Sequence, residues 1–142
     1  MATLADDQWL ELNRAVIEEF RANGGRCGGR WEGNPMLLLT TTGARSGTPR
    51  TSPLTYTTDG DRLVVIASKA GADQHPAWYH NVVTNPDVVV ELGAESFPAR
   101  ASVAAEPDRS RLFAERVAVM ERFGGYQELT ERVIPVVVLS PT

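Results

Sequence analysis

The apolar and polar positions of this chain change period several times, and each change marks an element. Over residues 6–23, Trp9, Leu12, Val16 and Phe20 recur at spacings of three and four with charged residues between them, which predicts an amphipathic helix. Asn23, Gly24 and Gly25 form a natural C-terminal stop, and the GGRCGGRWEGNP segment that follows reads as a glycine-rich loop.

From residue 35 the pattern turns to short extended runs. Residues 35–42 predict a first strand and residues 50–58 a second; Asp59 and Gly60 make a tight turn into a third over residues 62–68. Leu63, Val64, Val65 and Ile66 are apolar on both faces, as in a central strand, whereas Pro53 cannot donate a ladder hydrogen bond and places its strand at an edge, a bulge or a barrel seam. Pro76 and Pro86 bracket a short helix through Trp78, Tyr79 and Val82. Residues 87–92 and 97–105 read as two further strands about a turn at Gly93 and Ala94. Pro107 and Asp108 open a longer helix with Phe113, Val117 and Met120 on one face, and Gly124 and Gly125 are expected to close it. Residues 126–132 read as short helical or irregular chain, and residues 134–139 as a final, fully apolar strand. This order predicts an α+β fold, an antiparallel barrel of about six strands with helices packed around it.

Composition narrows the class. A chain of 142 residues has the length of one domain, expected to bury about 70% of its unfolded surface. Residues 1–33 would supply the N-terminal helix and loop, and residues 34–142 the barrel. With 42% hydrophobic and 23% charged residues, disordered and disulfide-scaffold classes are excluded. No apolar run approaches the roughly 20 residues of a membrane span, and MATLADDQW is too acidic for a signal peptide, so a cytoplasmic location is expected. Cys27 stands alone, and with only His75 and His80 beside it no zinc-type ligand set can be assembled; no metal is expected. A net charge of −4 argues against a nucleic-acid partner. Between residues 21 and 58, however, Arg21, Arg26, Arg30, Arg45 and Arg50 face Glu32 alone, a local bias suited to a small polyanion.

Two stretches carry candidate chemistry. Residues 43–50, Gly-Ala-Arg-Ser-Gly-Thr-Pro-Arg, set Arg45, Arg50 and the hydroxyls of Ser46 and Thr48 about two glycines, Gly43 and Gly47, that let a ligand approach the backbone; a phosphate or a carboxylate suits them. Ser68 and Lys69 precede the helix at Pro76, where an anion would also meet free N–H groups. Trp78 and Tyr79 either cover a flat ring system or, for Trp78, hold that helix to the core. Dinucleotide and nucleoside-triphosphate fingerprints are absent, and Ser46 does not lie in a Gly-x-Ser-x-Gly elbow.

The runs LLLTTTGARSGTPRTSPLTY, ASKAGADQHPAWYHNVVTNPDVVVEL and YQELTERVIPVVVLSP occur in this order. They resemble the deazaflavin-dependent nitroreductase family of actinobacteria, whose members bind coenzyme F-420, an 8-hydroxy-5-deazaflavin. The resemblance implies a split β-barrel related to flavin reductases and pyridoxamine-phosphate oxidases. By that likeness Gly43, Arg45, Ser46, Gly47, Thr48 and Arg50 hold the phosphate and lactyl-glutamate tail. Ser52, Pro53 and Leu54 flank the ring, Ala67, Ser68 and Lys69 contact the ring and phosphate region, and Ala72, Pro76, Ala77, Trp78 and Tyr79 close the site. Asn81 and Asn85 cap that segment. The implied activity is hydride transfer from the reduced coenzyme to a small organic acceptor such as a quinone, an enone or a nitroaromatic, with peripheral membrane contact if the acceptor is a lipid quinone. Tyr126 would position the acceptor or relay a proton, or else pack, in a pocket shaped with Trp31, Met120 and Phe123. The stretch MERFGGYQ lacks the several tyrosines of the members that activate nitroimidazole prodrugs, and that activity is not expected here. An FMN-binding oxidoreductase of the same fold and a non-catalytic deazaflavin carrier are the alternatives.

Overall fold

The computed structural model describes residues 6–28 and 35–142, with side chains from Glu11 onward in the first helix. The expected contacts of Trp9 and Trp31 lie outside the described residues. Helix α1 (Asp6–Ala22) buries Val16 and Phe20 against Cys27, Met36 and Leu38. It stops where the sequence predicts: Gly24 adopts φ 63°, and the Gly25 N–H reaches back to the Phe20 carbonyl at 2.8 Å. A two-pronged contact from Arg21 to Glu91, at 3.0 and 2.8 Å, ties the helix to the sheet.

Seven strands form that sheet: β1 (Met36–Thr42), β2 (Pro49–Thr55), β3 (Thr57–Asp59), β4 (Arg62–Ile66), β5 (Asp87–Leu92), β6 (Glu95–Val103) and β7 (Val136–Pro141). Every pairing is antiparallel, in the order β2-β1-β5-β6-β7-β4-β3. The count exceeds the expected six because the run at residues 50–58 breaks at Tyr56, whose N–H donates to the Pro35 carbonyl at 3.2 Å. β2 and β3 are therefore separated by one residue in the chain and yet occupy opposite edges of the sheet. One residue can join the two edges only if the sheet curls until they meet, which makes it a barrel. Pro53 sits in the edge strand β2 opposite Leu38, as its missing donor requires.

The interior is filled by Leu37, Leu39, Leu63, Val65, Val90, Val137 and Leu139, with Trp78 and Val82 of α2 (Ala77–Thr84) closing one side. Val64, Ile66, Val136 and Val138 point outward and are covered by Leu112 of α3 (Asp108–Val119) and Phe123 of α4 (Arg122–Glu128). β4 and β7 are thus buried on both faces, which explains their unbroken apolar sequences. Two details of the helical reading change. α3 ends at Val119, before Gly124 and Gly125, and both glycines lie inside α4 rather than at a helix stop. The buried centre of α3 is Leu112 and Arg116, with Phe113, Val117 and Met120 only partly covered. No described helix is long and apolar enough to cross a membrane.

Candidate functional site

The loop between β1 and β2 is closed by its own backbone. The Gly43 N–H donates to the Thr48 carbonyl at 2.8 Å, and the Gly47 N–H to the Gly43 carbonyl at 2.9 Å. Gly47, at φ 69°, has open space around the position of a side chain, whereas a Cβ at Gly43 would lie 2.5 Å from the Ser46 hydroxyl. Ser46 Oγ and Thr48 Oγ1 are 2.7 Å apart, and the Thr48 N–H also donates to Ser46 Oγ. One hydroxyl proton is spent between the two, so the pair offers an incoming ligand one O–H donor rather than two. Arg45 and Arg50 are exposed, and among the described residues neither has a carboxylate partner.

Asn81 of α2 anchors this loop. Its buried Oδ1 accepts the Ala44 N–H at 2.9 Å, and its Nδ2 donates to Thr41 Oγ1 at 3.0 Å, which in turn donates to the Arg50 carbonyl at 3.5 Å. Because the Ala44 partner is a backbone N–H, the orientation of the amide is determined. Asn85 Nδ2 adds a contact to the Thr42 carbonyl at 3.4 Å. Asn85 caps the C-terminal end of α2 as read from sequence, its N–H donating to the Asn81 carbonyl at 2.7 Å, and the side chains of Asn81 and Asn85 also fasten α2 to the arginine loop.

The N-terminal end of α2 is entered from a second unusual segment. After Ser68 the chain forms a single 3-10 turn (Lys69–Gly71) in which Lys69 and Ala70 have φ 46° and 54° and Gly71 has φ 82°. Consecutive positive φ values on non-glycine residues are disfavoured and must be held from outside. Ser68 is right-handed and Lys69 left-handed, so the amides of Ser68, Lys69 and Ala70 line one concave stretch of backbone, and none of them donates to a described acceptor. Lys69, the only lysine in the chain, has no carboxylate partner among the described residues.

Arg132 grips this turn from behind. Its Nε donates to the Ala72 carbonyl at 2.8 Å, Nη2 to the Ser68 carbonyl at 2.8 Å and Nη1 to the Ala67 carbonyl at 3.3 Å, and Nη1 lies 2.9 Å from His75 Nδ1. Burial, reinforced by the charges of Arg132 and His80, holds the His75 pKa below its usual value. The other flank of the turn is wedged against α4: a Cβ at Gly71 would sit 2.9 Å from the Tyr126 carbonyl. Tyr126 is half-buried, packs edge-on against Phe123 with ring centroids 5.4 Å apart, and its hydroxyl has no hydrogen-bond partner among the described residues.

Exposure sorts the remaining expected site residues. Arg45, Ser46, Gly47, Thr48, Arg50 and Ala77 are exposed, and Ser52, Leu54, Lys69, Ala72 and Tyr79 are half-buried. Gly43, Pro53, Ala67, Ser68, Pro76 and Trp78 are buried, so they present no exposed side chain to cover a ligand. Trp78 in particular is 6% exposed and belongs to the barrel core, the packing role weighed for it from sequence. Tyr79 instead lies against the His75 ring, with centroids 4.6 Å apart. An open concavity of ≈ 480 Å³ beside the turn is lined by Asp73, Glu128 and Glu131 as well as Arg132, and its carboxylates suit no anionic ligand. Two arginines, one lysine and a row of free amides, carried on loops joined through α2, fit a coenzyme with a phosphate and a carboxylate tail. Asn81 and Arg132 escaped the sequence reading because their partners lie about forty and sixty residues away.

Comparison with known proteins finds relatives and solved structures similar to this chain. The chain is 43% identical over 139 residues to the F420H(2)-dependent quinone reductase Rv1261c of Mycobacterium tuberculosis, covering 94% of this chain and 90% of that protein. A solved F420-H2 dependent reductase, FDR-A, superposes with a TM-score of 0.69 at 36% identity, over 75% of this chain and 94% of its own. HutZ, a heme storage protein of Vibrio cholerae, shares the fold at a TM-score of 0.59 and 18% identity, over 89% of this chain and 87% of its own. The family model described as F420H(2)-dependent quinone reductase matches residues 12–141, and the chain belongs to that family.

Proposed function

We propose that this protein transfers a hydride from the reduced deazaflavin coenzyme to a quinone, holding the coenzyme between the arginine loop and the left-handed turn. It is a deazaflavin-dependent oxidoreductase by family, and coenzyme F-420 is its cosubstrate. The observation that carries the residue assignment is the set of three cations, Arg45, Arg50 and Lys69, that have no carboxylate partner among the described residues and lie on segments joined through α2. Unpaired cations on anchored backbone are arranged for an anion that is not part of the chain.

The coenzyme, when bound, supplies the hydride, since its ring favours two-electron transfer. The chain supplies placement. Arg45 and Arg50 bind the anionic tail, with one O–H of the Ser46 and Thr48 pair as a neutral donor. The Ser68, Lys69 and Ala70 amides and the Lys69 ammonium meet the phosphate and ring region, and Ser52, Leu54 and Tyr79 line its accessible walls. Tyr126, whose carbonyl abuts Gly71, stands next to the turn with its O–H available to hydrogen-bond an acceptor carbonyl. Holding donor and acceptor side by side is the main catalytic contribution such a site makes. Quinone is the acceptor class because the family to which the chain belongs reduces quinones. Residues 34–142 carry the whole of this arrangement, with α1 packed on its outside.

Fluorescence titration of the protein with oxidised coenzyme F-420 tests this reading. Arg45→Ala and Arg50→Ala should each weaken binding about 10- to 100-fold through loss of a charge-assisted contact. Binding indifferent to both substitutions would remove the arginine loop from the site, and riboflavin-type fluorescence in the purified protein would favour an FMN enzyme instead.

A further inference from the structure

We propose that Arg132 is a positioning residue: it holds the strained turn at Lys69 and Ala70 and thereby aims the amides of Ser68 and Lys69 at the coenzyme. The inference rests on the coenzyme reading above and adds a residue that touches neither coenzyme nor acceptor.

The argument follows from the planarity of the peptide unit. The Ala67 carbonyl and the Ser68 N–H belong to one rigid plane and point in opposite directions, as do the Ser68 carbonyl and the Lys69 N–H. Arg132 takes both carbonyls, through Nη1 at 3.3 Å and Nη2 at 2.8 Å. The two N–H groups are therefore turned away from Arg132 toward the opposite face. Its Nε holds the Ala72 carbonyl at 2.8 Å, so one planar fork spans the entry and the exit of the left-handed stretch. A lysine has no such fork and cannot bridge the same acceptors.

Arg132 is itself held in place. Gln127 Nε2 donates to its carbonyl at 2.7 Å, its own N–H reaches Thr130 Oγ1 at 3.3 Å, and Gln127 Oε1 receives the Ile134 N–H at 3.0 Å. The fork is thus fixed relative to α4, the helix that carries Tyr126. Because arginine only donates, His75 Nδ1 must accept, and the imidazole is the neutral Nε2–H tautomer. That tautomer is a spectroscopic mark of the grip.

The test uses Arg132→Met and Arg132→Lys in the full chain, with Lys69→Ala as a direct-contact control. Three quantities are read: amide exchange at Gly71 and Ala72, whose N–H groups close the turn onto Ser68 and Lys69; the ¹⁵N tautomer shifts of His75; and the dissociation constant for oxidised coenzyme F-420. Both Arg132 variants should speed exchange and weaken coenzyme binding about tenfold or more, and erase the tautomer preference, with lysine behaving like methionine. Wild-type exchange and affinity in Arg132→Met, or in Arg132→Lys if the methionine variant does not fold, would overturn the proposal. If Lys69→Ala alone leaves the affinity untouched, it is the coenzyme assignment that fails, while exchange and tautomer still decide whether Arg132 holds the turn.

Discussion

Replacing Arg116 by methionine should stabilise this protein. Arg116 is 1% exposed on the buried face of α3. Its Nη2 donates to Thr55 Oγ1 and its guanidinium lies 4.8 Å from the Phe123 ring centroid, but Nε and Nη1 have no partner among the described residues. No carboxylate pairs with it among the described residues. Burial, with a smaller contribution from the charge of Arg122, lowers its pKa well below the usual guanidinium range, to about 10. A displacement of that size sets about 3 kcal/mol against the charged form. The favourable contacts with Phe123 and Thr55 offset about half of it. Methionine keeps much of the apolar stem without the charge, so Arg116→Met should gain about 1–2 kcal/mol, or roughly 3–6 °C in Tm. The pH dependence has a definite sign. The penalty is fully present while both states are protonated and is relieved as pH rises above about 10, where the folded state releases its proton and the unfolded chain keeps it. Urea melts of both proteins at pH 7 and near pH 10.5 provide the assay. A methionine variant less stable than the parent at pH 7, or a gap that widens with pH, would refute the reasoning and mean that the guanidinium is satisfied.

Other outcomes follow from the same coordinates. Asn81→Ala removes the acceptor of the Ala44 N–H and the donor to the buried Thr41 hydroxyl, and should cost about 1–2 kcal/mol in chemical denaturation while weakening coenzyme binding through disorder of the arginine loop. Gly71→Ala forces a side chain to adopt φ 82° with its Cβ 2.9 Å from the Tyr126 carbonyl, and should lower stability by about 2–4 kcal/mol in the same melts. His75 is held below its usual pKa, so its neutral form supports the fold above about pH 6.5 and that support fades as pH falls; His75→Asn should flatten the slope of Tm between about pH 5 and 7. An unchanged slope would show that the ring titrates freely.

The sequence revealed much of the fold because its signals were local. The Asp59-Gly60 turn, the Gly24 stop, the edge position of Pro53 and the doubly apolar β4 each depend on a few adjacent residues, and each appears in the structure. The break at Tyr56 was hidden because a run of Thr, Ser and Pro has no period to interrupt, and the bend is imposed by closure of the barrel. Gly124 and Gly125 read as a stop, but α3 ends earlier, at Val119, and the next residue, Met120, is extended at φ −137°. Nothing in the local sequence marks Arg116 as buried, and the packing of α3 on Phe123 is what buries it. The two arginines of the loop and the lone lysine were legible as candidates for an anion. The residues that aim them, Asn81 and Arg132, were not, because a hydrogen bond across forty or sixty residues leaves no mark on either local sequence.

The place of β7 in the sheet has a consequence for how the protein is made. β7 pairs with β6 on one side and β4 on the other, and removing it would divide the sheet into β2-β1-β5-β6 and the hairpin β4-β3. A ribosome synthesising this chain therefore exposes two apolar half-sheets, with Leu63, Val65, Ala99 and Ala101 uncovered, until residue 141 has cleared the exit tunnel. Nascent chains stalled before residue 136 should be protease-sensitive and should recruit holding chaperones.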